Sequence, residues 1–364
     1  MCLTPNSIPN PNYGSKVAPP WIDTVSSRIT IPCGYCKQCI ALKSIYMVQR
    51  IQVESLFNHL FYGTLTYNED MLPRLDVNGY SIPYADIHDF QVMCKRLSDR
   101  NSFGVPFRWF AVSERGSEKG RPHLHCFIIV PKFYASKDYQ LINLERRIAF
   151  ELLHNWQRNV GTRNKPYFVD LCTYKQRIIH NRLYRNFDLH YVAPQLSAHG
   201  CADAAFYVMK YMLKVSDKER RLQQALHLNL DPYEYERVWP ILKSKSFHSL
   251  GLGLNSSMYG RKLLYDPEAV KVVKDCVSRS DKSLGYPCFF DPDTGFPSPL
   301  GRWYRSIGDI FSYSDAFEFF KASGRSDGFV ETMDSNLAVR QIDSFLKSKA
   351  VADLHSYDDI ITNL

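Results

Sequence analysis

The sequence predicts an α+β protein, with a central, largely antiparallel sheet, helices packed over it, an N-terminal cysteine segment and a C-terminal extension. Three observations carry that expectation. Two runs of β-branched and aromatic residues, 107–114 and 122–130, flank a loop containing Gly116 and Gly120, which is the pattern of a hairpin. Helix-spaced apolar stripes are interleaved with further strand-like runs in the order strand, helix, hairpin, helix, strand, helix, so helices and hairpins are laid down separately. The 364 residues are 45% hydrophobic and 14% aromatic, enough to bury the core of one or two domains and too apolar for disorder.

In chain order, residues 1 to about 28 are rich in Pro, Asn and Ser and read as an extended arm. Cys33-x-x-Cys36-x-x-Cys39 follows, then a helical pattern of Ile45, Val48, Gln52 and Leu56. Three cysteines so spaced can supply soft ligands for zinc or an iron–sulfur cluster; a disulfide or inert thiols would use the same residues, and the readings stay open. Residues 59–67 alternate as a strand, with Phe61, Gly63, Leu65 and Tyr67 on one face and Thr64 and Thr66 on the other. The threonine face is small and polar, suited either to lying beneath a nucleic-acid strand or to ordinary sheet packing. A polar loop over 68–83 leads to a helix from about 84 to 99, its buried stripe marked by Ile87, Phe90, Cys94 and Leu97.

The hairpin comes next, then a helix over 140–159 with Leu141, Leu144, Ile148, Leu152 and Trp156 at helical spacing, and a strand over 167–174. Between 175 and 190, Lys175, Arg177, Arg182 and Arg185 alternate with Tyr174, Tyr184 and Phe187. Such a segment can neutralise phosphates and stack on unpaired bases, and Arg121 on the hairpin loop joins these candidate DNA contacts; a solvated loop would have a similar composition. Asp203 is a candidate cap for a helix over 206–214. Residues 218–230 extend that helix or begin another, 246–259 are loop-like, and 286–299 are irregular from their Pro, Gly and Asp content. The tail from 312 is helical in places (Phe317, Phe320; Val339, Ile342, Leu346) and carries no recognisable chemistry.

The chemistry concentrates on His123-Leu124-His125. Alternate strand residues share a face, so the two imidazoles project together. A lone histidine there is usually a polar residue on a solvated face. Here an acid accompanies the pair: a symmetric hairpin sets Glu114 opposite His123, with Cβ atoms about 5 Å apart. Two imidazoles and a carboxylate suit a divalent cation such as Mg²⁺, Mn²⁺ or Zn²⁺, and ligand type alone does not choose among them. Tyr207 and Tyr211 are four residues apart on the downstream helix, as are Lys210 and Lys214, so each pair shares a face. Core packing is the common role of tyrosines so spaced; beside a metal site, a tyrosine hydroxyl can instead attack phosphorus.

His123-Leu124-His125 followed by the tyrosine helix resembles the HUH endonucleases, the rolling-circle replication initiators, and tyrosines separated by three residues look like their two-tyrosine branch. Residues 31–39, Gly63-Thr64-Leu65-Thr66-Tyr67 and the Tyr-Lys helix are similar to the initiators of gokushovirus-like microviruses, small single-stranded-DNA bacteriophages. The resemblance runs from about 31 to 214. It implies an HUH-type fold, a nicking and joining domain over 59–216 between an N-terminal arm with the Cys segment (1–58) and a C-terminal region of unassigned role (217–364). It also implies Glu114, His123 and His125 as ligands of one Mg²⁺ or Mn²⁺, with Tyr207 or Tyr211 as nucleophile and Lys210 and Lys214 beside the phosphate. The expected partner is single-stranded origin DNA, in the cytoplasm of a bacterial host.

Two rivals use the same residues: a metal-dependent DNA hydrolase with activated water, and a basic nucleic-acid-binding protein whose histidine pair is incidental. A formal charge of +8 is compatible with all three. No Gly-x-x-x-x-Gly-Lys-Ser/Thr stretch is present, so a helicase would come from the host, as would the polymerase. No run of about 18 apolar residues is found, so no membrane-spanning helix is expected. Of the ten cysteines, Cys94, Cys126 and Cys172 lie in apolar runs, as reduced buried thiols do.

Overall fold

A computed structural model describes residues 6–16, 24–31, 37–116, 120–172, 177–179, 182–184, 188–192, 217–259, 262–280, 287–291, 297–312, 314, 315 and 318. In chain order the elements are β1 (Asn6–Pro9), β2 (Arg28–Ile31), α1 (Lys37–Phe57), β3 (Asn58–Thr66), β4 (Arg74–Val77), β5 (Tyr80–Pro83), α2 (Ile87–Asp99), β6 (Arg108–Arg115) and β7 (Pro122–Pro131). They continue with α3 (Asp138–Asn155), β8 (Gln157–Asn159), β9 (Phe168–Asp170), β10 (Arg177–Ile179), β11 (Arg182–Tyr184), β12 (Asp188–Val192), α4 (Asp217–Asn229), α5 (Pro232–Leu242) and β13 (Ser246–His248). Last come β14 (Ser257–Tyr259), β15 (Lys262–Leu264), α6 (Pro267–Ser278), β16 (Cys288–Phe290), β17 (Pro297–Pro299) and a helical turn at Arg302–Arg305. The class is mixed α and β around an antiparallel sheet, as expected. Among the described residues, no helix is long and apolar enough to cross a membrane.

The chain divides into two compact units. One, Phe57–Leu196 with Lys214–Leu252, holds a five-stranded sheet in the order β12-β3-β7-β6-β13, every neighbour antiparallel. Alternation divides the side chains of β7 between two faces. Leu124, Cys126, Ile128 and Val130 join Phe61 and Leu65 of β3 in a core closed by Phe90, Met93, Cys94 and Leu97 of α2 and Leu144, Ile148, Leu152 and Leu153 of α3. Helix α2 begins one residue after Asp86, whose carboxylate accepts the His88 amide at 2.9 Å. That cap is why the helix starts at Ile87 rather than near 84. Cys94, Cys126 and Cys172 are buried thiols, and burial pushes Cys126 up to about 12.

Beneath the sheet Asp89 is buried with three partners. Arg158 donates to both its carboxylate oxygens, at 2.9 and 2.5 Å, and the Tyr67 hydroxyl donates at 3.2 Å. Burial, followed by the charge of Asp89, pushes the Tyr67 phenol well above its ordinary range, so it remains a neutral donor.

Several expectations are corrected. The predicted arm contains β1, which pairs with β2 from Asn6↔Ile31 to Pro9↔Arg28. The polar loop over 68–83 holds the β4–β5 hairpin, turned at Asn78 (φ 48°) and Gly79 (φ 82°), the two left-handed residues that a tight hairpin turn needs. Helix α3 stops at Asn155, not 159. Trp156 leaves the helix, is buried, and donates its indole N–H to Thr66 O at 2.8 Å, which frees 157–159 to pair with β9. The strand over 167–174 shortens to β9. Residues 246–259, expected as loop, supply β13, whose Phe247 pairs with Ala111 at the edge of the sheet. Irregular residues 286–299 include the β16–β17 pair.

The second unit comprises Met1–Leu56, Ser197–Leu213 and Gly253–Ala352. Its described residues gather around α1, which buries polar as well as apolar side chains. Glu54 accepts the Gly253 and Asn255 amides at 2.7 and 3.1 Å, and Gln49 accepts the Gly301 amide at 3.0 Å. The Arg50 guanidinium lies 4.1 Å from the Trp303 ring centre. Gly253 has φ 107°, and a Cβ there would fall 2.8 Å from Arg50, so both backbone and space require glycine.

Phe61 is fully buried at the heart of the sheet core. Phe61→Ala is expected to lower stability by about 3–5 kcal/mol in urea unfolding, the cost of a cavity that size; a loss under about 1 kcal/mol would contradict the packing described.

Candidate metal centre

The β6–β7 hairpin runs in register from Arg108↔Ile129 to Arg115↔Pro122, which sets Glu114 directly opposite His123. Its loop is closed by the Gly116 amide on Arg121 O (3.0 Å) and the Gly120 amide on Gly116 O (2.9 Å). Gly120 has φ 64°, a conformation glycine adopts without strain. β7 is the central strand, so both histidines sit on backbone held from two sides.

Three donor atoms converge. His123 Nε2 lies 3.0 Å from Glu114 Oε2, His125 Nε2 lies 2.9 Å from the same oxygen, and the two Nε2 atoms are 3.1 Å apart. Side-chain exposure is 13% for Glu114, 18% for His123 and 2% for His125, so the triangle opens toward solvent on the His123 side. Burial pushes the Glu114 carboxyl up, but hydrogen bonds and charge from the two histidines outweigh it and hold the pKa at about 2. Glu114 is therefore a carboxylate at neutral pH.

The far nitrogens of the two rings have different partners. His123 Nδ1 lies 3.1 Å from Arg121 O. A carbonyl only accepts, so Nδ1 carries the hydrogen and Nε2 presents its lone pair to the centre. His125 Nδ1 faces two hydroxyls, Tyr62 Oη at 2.5 Å and Thr64 Oγ1 at 3.1 Å.

The donor set fits a divalent cation. A six-coordinate ion with bonds of about 2.1 Å places adjacent ligand atoms about 3.0 Å apart, which is the spacing of this triangle. Tetrahedral zinc at about 2.0–2.1 Å spreads its ligands to about 3.3 Å, a looser match. Among the described residues, Glu114, His123 and His125 are the one group of three or more His, Cys, Asp or Glu side chains arranged to hold a metal.

The other sequence candidates fare differently. Arg121 stands at the mouth of the hairpin, where its guanidinium donates to Tyr67 O and lies 3.4 Å from Glu69. Arg177 and Arg182 fall on β10 and β11, paired with Tyr184 and Ile179. Cys39 is buried in the first turn of α1, in the other unit. Tyr207, Lys210, Tyr211, Lys214, Lys175, Arg185, Cys33 and Cys36 lie outside the described residues. Tyr62 escaped sequence reasoning altogether. Its signal was the alternation Tyr62-x-Thr64-x-Thr66, which puts it on the threonine face.

Residues 60–216 match a family model for replication-associated proteins of the ORF2 type. The match spans less than half the chain and includes the whole β6–β7 hairpin and residues 206–214. Over that span the chain is similar to replication-associated proteins, which supports a replication initiator. Comparison with curated proteins and with solved structures returned no match.

Titration calorimetry with Mn²⁺ on metal-stripped protein is expected to show one equivalent bound. His123→Ala or Glu114→Ala should weaken binding by more than the roughly 10–100-fold that loss of an outer partner costs. Unchanged affinity in both variants would remove these residues as ligands.

Proposed function

We propose that the chain is a rolling-circle replication initiator that nicks and rejoins single-stranded origin DNA through a covalent tyrosine intermediate. The observation that carries this reading is the triangle of Glu114, His123 and His125, with its carboxylate ionised and one imidazole lone pair aimed inward by a backbone carbonyl. The similarity of residues 60–216 to replication-associated proteins and the Tyr207/Tyr211 spacing support it.

In this mechanism Glu114, His123 and His125 hold one Mg²⁺ or Mn²⁺. When bound, the cation withdraws charge from the non-bridging oxygens of the scissile phosphate. The hydroxyl oxygen of Tyr207 or Tyr211 attacks phosphorus, a tyrosine–phosphorus bond forms, and the bond to the 3′ oxygen breaks. The tyrosine proton is lost, the departing 3′ oxygen gains one, and the products are a 5′-phosphotyrosine and a free 3′-OH. The reverse reaction with a new 3′-OH rejoins the strand, so no nucleotide cofactor is consumed. Lys210 and Lys214, each three residues after a tyrosine, steady the phosphate or favour the phenolate. Arg121, Lys175, Arg177, Arg182 and Arg185 supply phosphate contacts along the strand.

Two tyrosines suit a cycle that cuts once to begin and again to release the finished strand. One helical turn offsets their hydroxyls by about 6 Å, a distance that a modest shift of helix or strand can cover. The free 3′-OH would be extended by a host polymerase, with a host helicase opening the duplex, in the bacterial cytoplasm. The similarity of 31–39, 63–67 and the Tyr-Lys helix to gokushovirus-like microvirus initiators supports that setting.

The test is a denaturing gel of protein incubated with labelled single-stranded origin DNA and Mn²⁺. Wild type should give a shifted, protease-sensitive adduct. Tyr207→Phe and Tyr211→Phe should each retain some single-turnover nicking, with Tyr211 favoured for the first cut, and the double variant should give no adduct. Cleavage without an adduct would establish the hydrolase instead, and an adduct mapped to a tyrosine outside 206–214 would overturn the assignment.

A further inference from the structure

The two histidines of the centre are held in different ways, and the difference points to two residues without an assigned role. His123 has a carbonyl behind it, and that acceptor by itself settles which ring nitrogen bears hydrogen. His125, nearly fully buried, has two hydroxyls instead. Tyr62 and Thr64 sit on β3, which pairs with β7 so that Thr64 is directly opposite His125 and Tyr62 opposite Phe127. The Tyr62 ring also stacks on the His125 imidazole, with centroids 5.7 Å apart and planes 14° from parallel.

We infer that Tyr62 and Thr64 are positioning residues for His125: they hold its ring plane and accept the Nδ1 hydrogen, so that Nε2 is free to bind a divalent cation. The inference rests on the metal-centre reading and deepens it. For Nε2 to ligate, Nδ1 must carry the ring hydrogen, and in a site this buried the N–H needs an acceptor. The hydroxyl oxygens, 2.5 and 3.1 Å away, are suited to that task. A second contact, 3.5 Å between Thr64 Oγ1 and Tyr62 Oη, links the two hydroxyls.

The same geometry separates Tyr62 from the nucleophile. Its hydroxyl meets His125 on the ring nitrogen turned away from Glu114, so the imidazole stands between it and the centre.

The experiment compares wild type, Tyr62→Phe, Thr64→Val, the double variant and Thr64→Ser. Phenylalanine keeps the stacked ring, valine keeps the branched shape, and serine keeps the hydroxyl. Calorimetry with Mn²⁺ alone should show the double variant weakened about 10–100-fold, with Thr64→Ser close to wild type. Imidazole ¹⁵N spectra of Mg²⁺-loaded protein should show a sharp, protected Nδ1–H for both histidines in wild type, and in the double variant for His123 only. Melting of the metal-free proteins guards against misfolding. If the double variant melts early, Tyr62→Phe against Thr64→Ser makes the same comparison. Wild-type Mn²⁺ affinity and an intact His125 Nδ1–H in the double variant would overturn this inference and leave the metal centre standing. Failure of wild type to bind Mn²⁺ would remove both.

Discussion

The pairing register of β6 with β7 is the constraint from which the rest of the site follows. Glu114 opposite His123 places the carboxylate against the imidazole, and His125, two residues on, returns to the same face. A slip of one residue would send both histidines into the apolar layer occupied by Leu124, Cys126 and Ile128, and would set those side chains where the donors now meet. That layer resists the slip. It is filled by fully buried side chains from β3, β7, α2 and α3, and exposing it would cost far more than any single hydrogen bond could return.

The core and the centre are also linked through polar groups. Asp89 on α2 takes hydrogen bonds from Arg158 and the Tyr67 hydroxyl, while the Tyr67 carbonyl accepts from Arg121 at the hairpin mouth. Arg121 O in turn receives His123 Nδ1–H. A short chain of contacts therefore runs from the helix under the sheet to the first histidine. The second histidine is held from β3, through Tyr62 and Thr64. Each ligand of the pair answers to a different neighbouring segment, which gives the centre two independent supports.

Polar burial has a separate role in the other unit. Glu54, Gln49 and Arg50 of α1 are buried because each meets a specific group, backbone amides for the first two and the Trp303 ring for the third. Such contacts are directional, so they select one arrangement of residues 253–305 against the helix, where an apolar stripe would tolerate several. They also explain why α1 lacks a clean amphipathic pattern.

What the sequence determined by itself was the local geometry of the hairpin. Alternation puts His123 and His125 on one face, a short glycine-bearing loop makes the strands antiparallel, and nearly equal arms bring Glu114 opposite His123. Each of these steps spans fewer than about ten residues, where strand period and turn length decide the outcome. The β4–β5 turn was legible for the same reason, since Asn78-Gly79 is a strong hairpin signal, although the polar residues around it suggested only loop. Tertiary structure alone decided the remainder. Tyr62 and Thr64 reach His125 through the pairing of β3 with β7, segments some 60 residues apart in the chain. β13 is three residues long, too short to show alternation, and is a strand only because β6 offers it an edge. Trp156 ends α3 because Thr66 O and a buried slot await its indole. In each case the deciding partner is distant in sequence, and no local pattern encodes which distant segment will pair.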